Sequence, residues 1–117
     1  MARAAAQQRE GEGNIYASIP HSMKEELLEI LLETKGFRLE RIVSDGHATP
    51  ADTWYDQNTA EWVVLLKGKA GLLFEGEPEA REMNPGDYIL IPAHKKHRVE
   101  WTDPLTRAVW LAFHYTP

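Results

Sequence analysis

Between residues 37 and 115 the sequence consists of short segments in which apolar and polar residues alternate. Turn-forming residues separate these segments. Alternation with a period of two is typical of β-strands that bury one face. These segments predict eight strands, at roughly 37–44, 53–57, 60–67, 70–75, 79–83, 87–92, 97–102 and 106–115. So many short strands within one stretch predict an all-β sandwich or barrel.

Two turns support this division of the sequence. Gly68 stands between two apolar runs in "LLKGKAGLL", where a tight hairpin needs a residue that adopts positive φ. In "NPGD", Pro85 and Gly86 occupy the second and third positions of a turn, which is the pairing that a type II turn requires. Both turns connect strands of the predicted sandwich or barrel.

A different pattern precedes the strands, in "HSMKEELLEILLETKG". Ser22 and Glu25 have the spacing of a capping box, and Gly36 is a typical stop signal. The leucines and isoleucine between them form a broad apolar side. These signals predict one N-terminal α-helix at about 22–35.

The length of 117 residues predicts a single domain. Residues 1–13 have no apolar periodicity and include Gly11 and Gly13, so we expect a disordered tail there and the folded domain over 14–117. The formal net charge is −5 and the basic residues are scattered, so no nucleic-acid partner is expected. No apolar run is long enough for a membrane span, no signal peptide is evident and cysteine is absent, which together predict a cytoplasmic protein.

Glu61 and His97 each stand where a predicted strand begins, at what would be the mouth of a barrel. A polar residue on the inward side of an apolar strand needs a partner or a function. A carboxylate and an imidazole that converge there could coordinate a divalent cation. They could equally satisfy each other by a hydrogen bond or an ion pair without any cation.

The segment "GDYILIPAHKKH" resembles the second motif of the cupin superfamily, G-x5-P-x-G-x2-H-x3-N. Gly86, Pro92 and His97 are in place, whereas His94 replaces the second glycine and Trp101 replaces the asparagine. Only the end of the first motif, G-x5-H-x-H-x3 or 4-E-x6-G, is matched. Glu61 and Gly68 are its glutamate and glycine. The places of its two histidines are taken by Trp54 and Asp56 if four residues lie between the pair and Glu61, and by Tyr55 and Gln57 if three do.

This resemblance to small single-domain bacterial cupins implies a jelly-roll barrel, also called a double-stranded β-helix, over about 37–115. It also implies a metal site of iron, manganese, zinc, nickel or copper, to which only Glu61 and His97 carry over. A third protein ligand would then come from Asp56 or Gln57, which strand alternation places on opposite faces. Small cupins commonly form homodimers, which the resemblance likewise implies.

Four further residues are candidates for binding a small-molecule ligand in the barrel. Tyr55 and Trp54 occupy places where cupins have metal ligands, and His114 shares one face of the last strand with Trp110. The alternative for each aromatic residue is packing in the sheet or core. For His114 it is a packed or surface position.

Two functions are considered first. One is a metal-independent protein that binds a small molecule in the barrel cavity. The other is a metal-dependent enzyme, an oxygenase, isomerase or lyase, that acts on a small polar substrate. A third possibility is a structural partner for another chain, which would present a large exposed apolar patch. The sequence has no cysteine nucleophile and no G-x-S-x-G motif, so nothing in it indicates nucleophilic catalysis.

Overall fold

The computed structural model describes Gln7–Gln8 and residues 11–117, and all the regular structure in them is β. Six strands form one sheet, in the order β1-β2-β3-β9-β4-β7, and three form a second sheet, in the order β6-β5-β8. The strands are β1 (Gln7–Gln8), β2 (Leu27–Thr34), β3 (Phe37–Ser44), β4 (Ala60–Lys67), β5 (Ala70–Phe74), β6 (Arg81–Met83), β7 (Tyr88–Ile91), β8 (His97–Thr102) and β9 (Ala108–Tyr115).

The prediction of an all-β jelly-roll barrel is confirmed. Apart from the parallel pair β1–β2, neighbouring strands are antiparallel. The inward side chains of both sheets form one core, to which the large sheet contributes Val63, Leu65 and Trp110 and the small sheet contributes Leu72 and Phe74. The predicted strands 37–44, 60–67 and 97–102 have the expected bounds.

The predicted helix at 22–35 is wrong, because Leu27–Thr34 is strand β2 and no helix occurs in the described residues. This strand pairs with β3 from Leu27 opposite Val43 to Thr34 opposite Phe37. A register shift between Ile30 and Leu32 breaks the alternation, so that apolar residues fall at helix-like intervals. Gly36, with φ of 80°, closes the hairpin and ends no helix.

Two other expectations differ from the structure. The predicted strand at 53–57 is wrong, because that stretch makes only an isolated bridge between Tyr55 and His97. Most of the predicted disordered tail, residues 1–6 and 9–10, lies outside the described residues. No helix in the described part of the chain has the length and hydropathy of a membrane span.

Arg41 joins the segment that contains Ile15 and Ala17 to the outer face of the large sheet by hydrogen bonds. Its side chain is fully buried, and its Nε donates a hydrogen bond of 2.6 Å to Glu29 Oε1. Its Nη1 donates to the carbonyl oxygens of Ile15 and Ala17, at 2.9 and 2.6 Å. Because one guanidinium serves both a buried carboxylate and two backbone acceptors, the segment is held by polar contacts in an otherwise apolar layer.

We expect Arg41→Leu to lower the free energy of unfolding by about 3–5 kcal/mol, since the Glu29 carboxylate would lose the adjacent guanidinium while staying buried. Urea unfolding followed by tryptophan fluorescence measures the change. Arg81→Leu is the matched control, because its pair with Glu77 is exposed and contributes little. Equal effects of the two substitutions would contradict this role of Arg41.

Candidate functional site

The candidate site lies at the end of the barrel where β4 and β8 begin and β9 ends. Glu61 and His114 are direct cross-strand neighbours of β4 and β9, on the inward face. His97, the first residue of β8, pairs with Phe74 at the end of β5. The strand registers of both sheets therefore bring these side chains to the same end of the barrel.

A small cavity of about 40 Å³ opens between the two sheets at this end. Its walls are apolar, and its polar lining comes from Glu26, Tyr55, Glu61 and His97. A single water needs about 10–15 Å³ by this measure, so the cavity has room for about three non-hydrogen atoms. The apolar walls are formed by Ile42, Val63, Leu72, Ile91, Val99 and Trp110.

His97 is held in one orientation by the loop before β8. Its Nδ1 lies 2.8 Å from the carbonyl oxygen of Lys95, and because a carbonyl only accepts, Nδ1 carries the proton. Its Nε2 therefore faces the cavity side, where Glu61 Oε1 lies 3.8 Å away, beyond hydrogen-bond length. Both side chains are buried, with 5% of His97 and 7% of Glu61 exposed.

Tyr55 covers one side of His97. Their backbones exchange two hydrogen bonds, from Tyr55 N to His97 O at 2.8 Å and from His97 N to Tyr55 O at 3.1 Å. Their ring centroids are 5.7 Å apart, and Phe74 lies 6.4 Å from the imidazole centroid. Two aromatic rings thus pack near the imidazole.

Asp56 and Gln57, the sequence candidates for a third metal ligand, do not line the cavity. Asp56 Oδ1 lies 2.9 Å from Nδ1 of His94 in an exposed pair. The backbone carbonyl of Gln57 accepts a hydrogen bond of 2.7 Å from the backbone N–H of His94. These contacts join the loop after Tyr55 to the loop before β8. In the described part of the chain, no three His, Asp or Glu side chains are arranged to hold a metal ion.

The four candidate ligand-binding residues are placed differently. Tyr55 and Trp110 line the cavity, whereas Trp54 packs near the Arg98 guanidinium, 5.6 Å from its ring centroid. His114 is buried, but its Nε2 is engaged by Glu40 Oε1 at 2.7 Å. Their roles in ligand binding stay predictions.

Glu26 is a cavity residue that the sequence analysis missed. It is 2% exposed, and its Oε2 accepts a hydrogen bond of 2.6 Å from the Ser44 hydroxyl. The helix prediction hid this position, because a helical period does not assign Glu26 to a barrel interior. Had the run been interpreted as a strand, alternation with the core-packed Leu28 would have placed Glu26 on the inner face.

Comparison with solved structures gives close and distant matches. A crystal structure from Ralstonia eutropha JMP134, described as a candidate mannose-6-phosphate isomerase, is 44% identical, with a TM-score of 0.89 over 92% of this chain and 100% of that one. A cupin superfamily protein from Desulfitobacterium hafniense DCB-2 is 18% identical, with a TM-score of 0.72 over 95% and 96%. The polyketide cyclase RemF from Streptomyces resistomycificus is 23% identical, with a TM-score of 0.67 over 80% and 67%.

The two distant matches share the fold and carry no argument about activity. No curated protein matches the chain. The cupin domain family matches residues 42–114, which include β4, the whole second motif and nearly all of β9. This chain therefore belongs to the cupin superfamily.

Proposed function

We propose that this protein binds a small molecule through one hydrogen-bond-donating group, which enters the barrel cavity and bridges Glu61 and His97. The observation that carries the proposal is the pair of atoms Glu61 Oε1 and His97 Nε2, 3.8 Å apart at a cavity. With Nδ1 donating to Lys95, Nε2 of a neutral imidazole is an acceptor, as is the carboxylate. Two buried acceptors this close together favour a donor that lies on their cavity side and bonds to both.

The size of the cavity limits what enters it. About 40 Å³ is far below the roughly 300–1,000 Å³ of sites that enclose a whole drug-sized ligand. We therefore propose that only the head of the ligand occupies the barrel. The remainder would lie at the barrel mouth, near Tyr55.

The donor set does not fit the metal site of typical cupins. Glu61 and His97 supply two ligands, and the side chains at the places of the family's histidines point elsewhere or are aromatic. A divalent cation held by two protein ligands would need water or substrate oxygens to complete its coordination. Binding without a tightly held metal is the function that these residues support best, and binding of iron, manganese, zinc or nickel stays a prediction from the resemblance.

The relative that is 44% identical favours a second candidate function, that of a sugar-phosphate isomerase. A hexose phosphate is much larger than the cavity, and the described residues that line the cavity include no Lys or Arg. Such a reaction would therefore require the substrate to bind outside the barrel or the barrel to open. Turnover of mannose 6-phosphate with added divalent metal would favour this second candidate.

The homodimer and the cytoplasmic location implied at the outset remain proposals. A second copy would find an uncovered apolar surface on the outer face of the large sheet. There a row of cross-strand partners runs through five neighbouring strands, namely Leu32, Leu39, Phe113, Trp62 and Leu90.

The acceptor role of His97 can be checked directly. We expect long-range ¹⁵N–¹H correlation spectra, recorded where the imidazole rings are neutral, to show His97 as the Nδ1–H tautomer. The reason is that the Lys95 carbonyl accepts a hydrogen bond from that nitrogen. His114 is an internal control and should show Nε2–H, since its Nε2 faces a carboxylate oxygen of Glu40. An Nε2–H tautomer of His97 would remove the acceptor pair on which the proposal rests.

Fragments of three or four non-hydrogen atoms test binding. We expect at least one donor-bearing fragment among small alcohols, diols and amines to bind with millimolar affinity, since the best fragments gain about 1.5 kcal/mol per atom. Chemical-shift changes should cluster at Trp110 and Val99. The affinity of the fragment should fall about tenfold or more in Glu61→Gln, because a hydrogen bond to a charged group contributes about 1.5–3 kcal/mol. The exposed Glu79→Gln is the matched control, and equal binding by both variants would contradict the proposal.

Elemental analysis separates the two candidate functions. After purification without chelator we expect less than stoichiometric iron, manganese, zinc or nickel, since two protein ligands bind a divalent cation weakly. Fragment binding should also survive treatment with EDTA. One tightly held metal per chain that is lost in both Glu61→Gln and His97→Ala would instead support a metal-dependent enzyme.

A further inference from the structure

A second concave site, which we call the hairpin cleft, lies beside the turn that joins β2 and β3. Its volume is about 240 Å³, and no described residue lines both this cleft and the barrel cavity. The strand registers place Glu33 opposite Arg38 and Arg38 opposite His114, so these three residues stand in one row across β2, β3 and β9. The other lining residues are Thr34, Gly36, Phe37, Thr59 and Thr116.

Arg38 brings donors to the hairpin cleft. Its Nε lies 3.1 Å from Glu40 Oε2, which fixes one edge of the guanidinium. Its Nη1 and Nη2 atoms make no hydrogen bond or ion pair with the residues that the structure describes, and the side chain is 40% exposed. A guanidinium held in this way presents its terminal N–H groups in a defined direction.

Glu33 and Arg38 are direct cross-strand partners of opposite charge. On antiparallel strands such partners have Cβ atoms about 4.5–5.5 Å apart. Within the described part of the chain, however, no ion pair joins the two side chains. A donor and an acceptor therefore stand side by side at the cleft, and two neighbouring polar groups of one ligand can engage them together.

His114 adds a buried acceptor beside this pair. Its Nε2 lies 2.7 Å from Glu40 Oε1 and donates to that carboxylate, which leaves Nδ1 of the neutral ring as an acceptor. His114 is 5% exposed, and this Nδ1 has no hydrogen-bond partner among residues 11–117 or Gln7–Gln8. Because buried polar atoms are normally satisfied, a donor from outside the chain is favoured here, either directly or through one water.

Hydroxyl groups and one aromatic ring complete the lining. Thr34, Thr59 and Thr116 each carry a hydroxyl, which both donates and accepts hydrogen bonds. The ring of Phe37 is fixed against Phe113, with 5.9 Å between their centroids, and gives the cleft an apolar wall. A ligand that fits this lining has hydroxyl groups at its rim and apolar C–H groups on its face.

We propose that the hairpin cleft binds a neutral polyhydroxy compound, namely a monosaccharide ring with two adjacent hydroxyl groups. One of these oxygens accepts from the Arg38 guanidinium, and the neighbouring hydroxyl donates to the Glu33 carboxylate. A cation would be repelled by Arg38 and an anion by Glu33, so the pair of charges selects a neutral ligand. The site lies outside the barrel cavity, and the inference therefore goes beyond the proposed function.

Five probes test the inference by NMR titration of the full chain. They are the methyl glycosides of mannose, glucose and galactose in the pyranose form, 2-(hydroxymethyl)tetrahydropyran, and inorganic phosphate. We expect at least one glycoside to bind with millimolar affinity and to shift the amides of Gly36 and Thr59, while those of Trp110 and Val99 stay unchanged. The tetrahydropyran lacks adjacent ring hydroxyls and should bind about tenfold more weakly or not at all, since its contacts with the charged pair are lost.

Two conservative variants then test the charged pair. Glu33→Gln removes an exposed charge, and Arg38→Lys keeps a positive charge beside the buried Glu40 but loses the guanidinium fork. We expect each to lower the affinity of the glycoside about fivefold or more, because hydrogen bonds to charged groups are the stronger ones. Glu79→Gln is the matched control and should bind as the wild type does. Unchanged affinity in Glu33→Gln would overturn the role of this pair.

The remaining outcomes are also decisive. Phosphate that shifts Gly36 and Thr59 and binds more tightly than every glycoside would overturn the choice of a neutral ligand. Equal affinity of the tetrahydropyran and the glycosides would overturn recognition through adjacent hydroxyls. Failure of all three glycosides would overturn the inference and leave the proposed function intact, because binding in the barrel cavity is followed at Trp110 and Val99.

Discussion

The hydrogen bond between His97 Nδ1 and the carbonyl oxygen of Lys95 determines what the barrel end can do. It uses the one nitrogen that donates in the neutral ring and leaves Nε2 as an acceptor opposite Glu61. Tyr55 and Phe74 pack near the ring. The other tautomer, with the proton on Nε2, could donate to Glu61, and the Lys95 carbonyl disfavours it because it accepts a hydrogen bond from Nδ1.

Two groups of buried charges on the large sheet are paired among the described residues. His114, Glu40 and Arg38 form one connected group, with contacts of 2.7 and 3.1 Å. Arg41 and Glu29 form another on the opposite face of the same sheet. Because burial of an unpaired charge costs several kcal/mol, such pairing is common in folded domains. The 3.8 Å separation between Glu61 and His97 stands out against it.

This chain keeps the cupin barrel while changing the residues around its centre. The loop that carries metal-ligand positions in the resembling family instead places Tyr55 against His97 and turns Asp56 outward to His94. The aromatic ring and the apolar walls leave about 40 Å³. Fold membership is therefore secure, whereas the chemistry has to be argued from the particular side chains that remain.

Much of the barrel could be predicted from the sequence, because strand alternation and turn residues are local signals. Most strands from Phe37 onward, the hairpin at Gly68 and the proximity of Glu61 and His97 follow from such signals. Leu27–Thr34 could not be assigned in the same way. Its register shift gives a strand the apolar spacing of a helix, and only pairing with β3 decides between them.

The tertiary structure alone decided which polar residues share the cavity. Glu26 and Glu61 are far apart in the sequence and both line the cavity, because Glu26 directly precedes β2 and Glu61 lies in β4 of the same sheet. Asp56 and Gln57 are close to Glu61 in sequence, yet a loop contact with His94 keeps them out of the lining. The sequence by itself determined the type of barrel and two of its inward polar groups, since these depend on local period and spacing. The volume of the cavity and the presence of Glu26 in its lining depend on long-range packing, which no local pattern encodes.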